Sequence, residues 1–113
     1  MFVRKIPRRF LIHTVNLAEV ETAAGAFGGI TVTKGAEIKN VRLISTKSEI
    51  NISRDNEQYK ISDILIYQPD VSTPCTFQAG GHILHGEKLY KIAEVKELYE
   101  AERLHHLEVM LCR

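Results

Sequence analysis

The chain lacks tryptophan, and no apolar run in its 113 residues approaches the roughly 20 residues of a membrane-spanning helix. A membrane helix is therefore not expected. The basic start, Met1–Arg9, is followed by a short apolar stretch, Phe10–Ile12, and then by His13. That stretch is too short for the hydrophobic region of a signal peptide. We therefore expect a protein that is made in a cytoplasm.

Cysteine is also scarce, since Cys75 and Cys112 are the only two in the chain. They stand far apart and form no CxxC motif, so they indicate neither a disulfide framework nor a zinc site. We expect both to be reduced and to behave as small hydrophobic side chains.

The chain also lacks a strong excess of either positive or negative charge, because 15 basic and 14 acidic residues give a net charge of +1. This balance argues against a domain whose affinity comes from phosphate contacts. The charge is nevertheless uneven along the chain. Four basic residues without an acid among them stand near the N-terminus: Arg4, Lys5, Arg8 and Arg9. Five acids stand in the C-terminal fifth: Glu94, Glu97, Glu100, Glu102 and Glu108. Oppositely charged ends of this kind favour head-to-tail association of subunits through a charged interface at the N-terminus. The alternative is that these charged residues are simply solvated at the surface.

No arrangement of residues indicates catalysis, a metal or a cofactor. The motifs HExxH, GxSxG, GxGxxG and the Walker loop are all absent from the sequence. The adjacent His105 and His106 would point to opposite faces of a strand, which does not suit two ligands of one metal. Ser62 and Asp63 lack partners for nucleophilic catalysis, and Asp63 is expected to face solvent or a neighbouring subunit. We therefore predict no catalytic residue, no metal site, no cofactor and no enzymatic activity.

Runs of β-forming residues recur along the chain and predict a mainly β domain spanning residues 1–113. We predict strands over Phe10–Leu17, Ile38–Ser45 and Ile61–Tyr67, and a hairpin over His82–Ile92 that turns at Gly86. The run Ile64–Tyr67 is apolar on both faces, which is typical of a central strand. At least five strands and at most one short helix are expected.

Long loops are predicted between these strands. Residues 18–35 include Ala23–Gly29, which holds three alanines and three glycines and is costly to order. We expect this segment to be flexible, with a short hairpin at Ile30–Gly35 as an alternative for its end. Loops of this length in compact domains are often functional. A second, polar surface loop is predicted over residues 46–58.

The C-terminal quarter allows two interpretations. Leu89, Ile92, Val95 and Tyr99 keep helical spacing, and composition alone favours a helix from about residue 90 to 103. Alternation around Tyr90, after a turn at Gly86, favours a strand instead.

Six segments of the chain, in this order and spacing, resemble the minor capsid proteins of tailed phages and prophages, small proteins that close the capsid at the portal. The segments are Ile6–Thr14, Asn40–Leu43, Ile64–Tyr67, Phe77–Ile83, Gly86–Tyr90 and Leu98–Val109.

This resemblance implies a single-domain β-barrel or sandwich with a strand over Leu89–Glu97. It also implies a head–tail connector (a head-completion or stopper subunit) that forms a homo-oligomeric ring and helps to retain packaged DNA. Its partners would be portal or adaptor proteins, a tail-side protein and, incidentally, the packaged DNA, with no membrane involved. The protein would assemble in the cytoplasm of a bacterial host and end at the head–tail interface of the virion.

In the resembling family, a loop in the region of residues 18–35 helps to close the DNA channel. From the residues, Phe27 and the β-formers that follow it would offset the cost of ordering the glycines against a partner. We therefore hypothesise an assembly or channel role for Gly25, Phe27, Gly28, Gly29 and Ile30, to which the resemblance adds support, and a passive surface loop is the alternative. From the residues alone, an alternative function is a small single-stranded nucleic-acid-binding module with an OB-like barrel. The basic N-terminus favours this module, whereas the balanced charge and the lack of clustered aromatics disfavour it.

Overall fold

The computed structural model of the protein describes residues 8–22, 30–54 and 57–113, and within them the regular secondary structure is six strands and one short 3-10 helix. Side chains are described for these residues except at positions 8, 22, 30, 47–49, 54 and 57. The elements are η1 (Arg8–Phe10), β1 (His13–Thr22), β2 (Ile30–Arg54), β3 (Glu57–Tyr67), β4 (His82–His85), β5 (Lys88–Glu100) and β6 (Arg103–Cys112). The mainly β prediction, with at least five strands and at most one short helix, is confirmed.

The six strands form one closed antiparallel barrel in the order β1-β2-β3-β6-β5-β4. Closure depends on the short β4, which pairs with β5 on one side and with β1 on the other, from Asn16↔Leu84 to Ala18↔His82. Of the two architectures predicted, a barrel or a sandwich, the chain therefore adopts the barrel in a small single domain.

The strand β3 shows how the sequence builds the barrel wall. From Ile61 onward every second residue is buried, so that Leu65 and Tyr67 enter the core, while Ile64 and Ile66 are half-buried on the outer face. β3 pairs with β2 on one side and β6 on the other, which confirms the prediction of a central strand at Ile64–Tyr67. The core inside the barrel comprises Val15, Ile38, Val41, Leu65, Tyr67, Phe77, Ile83, Tyr90, Ile92, Val109 and Leu111.

The connection from β3 to β4, residues 68–81, closes one end of the barrel. It inserts Phe77 into the core, with its ring edge-to-face against Tyr67 at a centroid distance of 5.1 Å. The backbone N–H of Lys39 donates to Thr73 Oγ1 at 2.9 Å and fixes the connection to β2. At the neighbouring Asn40, φ is 59°, a left-handed conformation that asparagine tolerates better than most residues.

The antiparallel alternation sends the hairpins to opposite ends of the barrel. We call the end at which β1 leads to β2, and β5 leads to β6, the upper end; it is also the end closed by residues 68–81. The hairpins β2–β3 and β4–β5 lie at the lower end. The molecule is correspondingly elongated, with principal extents of 59 × 30 × 25 Å.

Both predicted loops are shorter than expected. β1 and β2 remain paired up to Thr22↔Ile30, so residues 18–22 and 30–35 are strand, and residues 23–29 lie outside the described part of the chain. Most of the second predicted loop, 46–58, also belongs to β2 and β3, because cross-strand pairs such as Ile52↔Tyr59 continue the ladder. At the N-terminus, the first strand begins at His13 rather than at Phe10, which belongs to η1.

A second hydrophobic cluster explains why the polar hairpin β2–β3 extends so far. Ile61, Ala93, Met110 and Cys112 are buried together, and four partly buried side chains pack against them: Ile50, Ile52, Tyr59 and Ile64. Adjacent residues of β5 and β6, such as Ile92 and Ala93, are therefore buried on opposite faces of the barrel wall. The lower hairpin acts as a cover over the outer face of β5 and β6.

The C-terminal quarter is a β-hairpin, so the strand interpretation is confirmed and the helix favoured by composition is wrong. Leu89 and Tyr90 pair with β4, while Val95 and Glu97 pair with β6. Pairing on both sides stabilises the extended conformation against local helix propensity. The turn between β5 and β6 includes Ala101, where φ is 57°.

The buried Phe77 should be a major source of stability. We expect Phe77→Ala to lower the free energy of unfolding by about 3–5 kcal/mol, because it leaves a cavity beneath the connection. The matched control is Phe10→Ala, since Phe10 is 45% exposed, and its effect should be within about 1 kcal/mol. Urea denaturation followed by circular dichroism measures both, and equal losses would contradict the assignment of Phe77 to the core.

Candidate assembly surfaces

An exposed hydrophobic and basic surface lies within residues 9–12, just before β1. Phe10 is 45% and Ile12 is 66% exposed, whereas Leu11 between them is buried and anchors the segment. Arg42 Nη1 donates a hydrogen bond of 3.3 Å to the carbonyl oxygen of Phe10, and the Arg9 guanidinium lies 5.1 Å from the centre of the Phe10 ring. We call Arg9, Phe10 and Ile12 the N-terminal patch. Its backbone is held in place while its side chains face solvent.

The structure locates only part of the predicted charged interface. Arg4 and Lys5 lie outside the described residues, and Arg8 begins η1 but its side chain is not described. Arg9 is exposed, in the N-terminal patch. An interface role for these four residues remains a prediction.

The predicted assembly loop is located only by its ends. Gly25, Phe27, Gly28 and Gly29 lie outside the described residues, whereas Ile30 is the first residue of β2 and pairs with Thr22. The described strands on either side of residues 23–29 therefore end as a pair at the upper end.

The upper part of the hairpin β5–β6 presents a second surface. Val95 and Leu107 pack against the barrel core, and Glu97, Tyr99 and Leu104 continue the same face beyond it. Tyr99 is 57% exposed, and its hydroxyl donates a 2.7 Å hydrogen bond to Glu97 Oε2, which raises the pKa of Tyr99. We call Glu97, Tyr99 and Leu104 the ribbon face. Glu97 is recognisable from the sequence by its charge, whereas Tyr99 was missed, and its even spacing from Val95 and Glu97 was the available signal.

The opposite face of the same hairpin contains the adjacent histidines. Leu98 pairs with His106 and Tyr99 with Leu104, so His105 is the extra residue of a β-bulge. The bulge breaks the alternation, and the two Nδ1 atoms are 2.7 Å apart. The expectation that His105 and His106 point to opposite faces is therefore wrong. A carboxylate lies near each ring: Glu100 Oε2 is 3.8 Å from His105 Nε2, and Glu108 Oε2 is 3.5 Å from His106 Nε2.

His13 connects β1 to β2 through a side-chain hydrogen bond. Its Nδ1 accepts from the backbone N–H of Leu43 at 2.9 Å, and this contact requires an unprotonated Nδ1. Burial lowers the pKa of His13, and the nearby His85 and Arg42 lower it further. The pKa of His82 is also lowered, by burial and by Lys91.

Asp63 corrects another expectation, because its side chain is buried rather than solvent-facing. It is 7% exposed, and its Oδ2 accepts a 3.2 Å hydrogen bond from Ser45 Oγ. Just below this pair the β2–β3 ladder is interrupted between Ser45 and Ile50. Thr46 Oγ1 bridges the interruption by donating to the carbonyl oxygen of Ile61 at 3.0 Å. Asp63 therefore has a structural position inside the wall.

A cleft of about 420 Å³ lies at the upper end, at the base of the hairpin β1–β2. Its lining includes Leu17, Gly35, Thr76, Gly81 and His82. A side chain at position 35 would approach the carbonyl oxygen of Leu17 to 3.0 Å, so glycine there permits the close packing of β1 on β2.

The described residues contain no group of three or more His, Cys, Asp or Glu side chains that could hold a metal ion. Cys75 and Cys112 form no disulfide in the structure, and burial raises the pKa of both thiols. Over residues 8–22, 30–54 and 57–113, no helix has the length and apolar character needed to cross a membrane.

The lowered pKa of His13 and His82 predicts a pH-dependent stability. Both pKa values lie below the ordinary 6.5, so the unfolded chain binds more protons than the folded one between the folded pKa values and 6.5. The histidine contribution is therefore complete above pH 6.5 and is lost as the pH falls through the folded pKa values. We expect the free energy of unfolding to decrease over this window in urea titrations.

The variant His13→Asn tests this origin, because its Oδ1 can still accept from Leu43 but does not titrate. We expect a shallower pH dependence in His13→Asn and a still shallower one after His82→Asn is added. A slope identical to that of the unsubstituted protein would show that these histidines are not responsible.

The sequence of the chain matches a known protein family over most of its length. Residues 7–111 match the family described as Minor capsid protein. No curated protein and no solved structure matches the chain. The family match spans β1 to β6 almost completely, and it agrees with the resemblance found in the sequence. The chain therefore belongs to a phage minor capsid protein family.

Proposed function

We propose that the protein is a head-completion or stopper subunit, which joins the portal side of the phage capsid to the tail and helps to retain packaged DNA. Membership of the minor capsid family supports a structural role in the virion, in contact with other virion components. The observation that carries the finer proposal is the closed antiparallel barrel, whose hairpins leave at opposite ends. A subunit inserted between two larger assemblies requires two such separate binding ends.

The work of this subunit would be done by surfaces rather than by catalysis. Copies of the subunit would surround the channel as a ring. A portal or adaptor protein would bind one end of the subunit, and a tail-side protein would bind the other end. Packaged DNA would contact the ring only incidentally. The protein would assemble in the host cytoplasm and remain at the head–tail interface of the virion.

The segment that connects β1 to β2 is proposed as the part that approaches the channel or a neighbouring copy. Ala24–Gly29 contains three glycines, which cost roughly 1–2 kcal/mol each in backbone entropy to order. Phe27 and the β-formers that follow it could offset this cost against a partner. The paired ends Thr22 and Ile30 supply a fixed base for the segment at the upper end.

The alternative, an OB-like nucleic-acid-binding module, gains no specific support. Such modules stack bases on clustered exposed aromatics. Among the described side chains, the two exposed aromatic residues Phe10 and Tyr99 belong to different surfaces, the N-terminal patch and the ribbon face. We therefore propose the virion role alone.

Balanced charge predicts weak DNA binding by the isolated subunit. We expect no submicromolar, sequence-specific dissociation constant at physiological salt in fluorescence anisotropy, because a net charge of +1 releases few counterions. A tight complex with one preferred sequence would favour the nucleic-acid module instead.

Replacing residues 23–29 with a two-residue Asn-Gly turn tests the proposed loop. Asn-Gly suits a tight hairpin, so the Thr22↔Ile30 pair and the fold should be retained. We expect heads that leak DNA or fail to join tails when this variant replaces the original protein during particle assembly, as seen by electron microscopy and by nuclease sensitivity of the packaged DNA.

The control replaces residues 23–29 with a glycine-serine segment of the same length. Comparing the two variants distinguishes a requirement for a long connection from a requirement for the side chains of residues 23–29. If the short-turn variant folds and still gives tail-joined, DNA-filled particles at normal yield, the proposed role of the segment is refuted.

A further inference from the structure

Two exposed surfaces of the molecule are chemically complementary but far apart on one subunit. Going around the barrel wall from β1 through β2, β3 and β6 to β5, the successive cross-strand partners are His13, Val41, Tyr67, Leu107 and Glu97. His13 is therefore separated from Glu97 by four strand spacings of about 4.8 Å each along this path. Along the other side, His13 reaches β4 near His85, at the lower end, well below Glu97. The N-terminal patch and the ribbon face of one copy therefore do not meet.

Charge is the first element of their complementarity. The chain before β1 contains Arg4, Lys5, Arg8 and Arg9 without an acid, which gives +4. On the ribbon face the charge is that of Glu97, because Glu100 and Glu108 lie beside the histidines on the opposite face of the hairpin. Opposite potentials of this kind favour association and fix its orientation.

Apolar exposure is the second element. Ile12 and Phe10 expose 66% and 45% of their surface on one side, and Tyr99 exposes 57% on the other. A two-stranded ribbon that extends beyond its barrel is marginally stable in water unless something packs against it. Aromatic residues and arginine are also the residue types most enriched at protein interfaces.

We propose that the N-terminal patch of one copy binds the ribbon face of the next copy. Arg9 would pair with Glu97, whose carboxylate is already positioned by the Tyr99 hydroxyl, and Phe10 and Ile12 would pack on Tyr99 and Leu104. This inference rests on the proposed function and deepens it, because it names the surfaces that join the subunits of the ring. The contact is heterologous, so it closes into a ring or continues as an open chain.

Sedimentation equilibrium of the full chain tests the contact. We expect self-association at millimolar concentration, weakened by about tenfold or more in Arg9→Glu and in Glu97→Arg. The double variant carries both changes, re-forms the ion pair with reversed sign, and should recover most of the loss. Ile44→Ser is the matched control, because Ile44 is 41% exposed but lies on neither surface, and it should associate normally.

A mixing experiment distinguishes this heterologous contact from a symmetric one. Ile12→Ser damages only the N-terminal patch and Tyr99→Ser only the ribbon face. Each variant alone should remain largely monomeric, whereas an equimolar mixture should form 1:1 dimers and nothing larger, since each pair keeps one intact contact. Circular dichroism verifies that both variants fold.

The inference is overturned if the unsubstituted chain stays monomeric at millimolar concentration, if the four substitutions leave association unchanged, or if the mixture forms no dimer. These outcomes are independent of the particle assay. If the chain self-associates through the two surfaces but the short-turn variant gives normal particles, the proposed role of residues 23–29 is refuted and the contact between copies is still supported.

Discussion

The pairing of β4 with β1 is the contact on which the rest of this fold depends. It consists of three residue pairs, from Asn16↔Leu84 to Ala18↔His82, and it converts a six-stranded sheet into a closed barrel. Without it, β1 and β4 would be edge strands with unpaired backbone groups, and the core side chains would face solvent. Closure also determines the path of residues 68–81, which must cross the upper end to bring the chain from β3 to β4. Phe77 is buried because of that crossing.

Closure alone would leave the outer face of the barrel in water, and the lower hairpin prevents this on one side. Four consecutive residues at the end of β6, Val109–Cys112, are buried because the barrel core lies on one face and the second cluster on the other. A wall that is buried on both faces loses the usual alternation of apolar and polar residues. This explains why the end of β6 is apolar at successive positions.

Those parts of the fold that depend on local pattern could be predicted from the sequence. The run Ile64–Tyr67 is apolar on both faces and is central, and Gly86, with φ of 62°, makes the turn of the predicted hairpin. The lengths of β2 and β3 could not be predicted, because residues 46–54 and 57–58 are mostly polar and their strand character comes from cross-strand pairing. The extension of β1 beyond Leu17 likewise depends on its pairing with β2. The position of Asp63 and the bulge at His105 also depend on tertiary register, which single-sequence periodicity does not contain.

The candidate surfaces were predicted less completely than the fold. Charge clusters are visible in the sequence, so Arg9 and Glu97 were found. Phe10, Ile12 and Tyr99 were missed, because a sequence shows that a residue is apolar but not that the folded chain leaves it exposed. The same limit hid Leu11, the buried anchor that fixes the exposed residues on both sides of it.

The length of β2 has a mechanical consequence. This strand spans 25 residues, from the upper hairpin at Ile30 to the lower hairpin at Arg54, and its pairing with β3 is interrupted between Ser45 and Ile50. Tension applied between the two ends of the molecule is directed along the strands, so it loads the hydrogen bonds of the flanking ladders in shear. Bonds loaded in shear resist together, whereas bonds pulled from one side open in sequence. The barrel therefore resists tension along its strands better than forces that peel β4 away from β1, because only three residue pairs join those two strands.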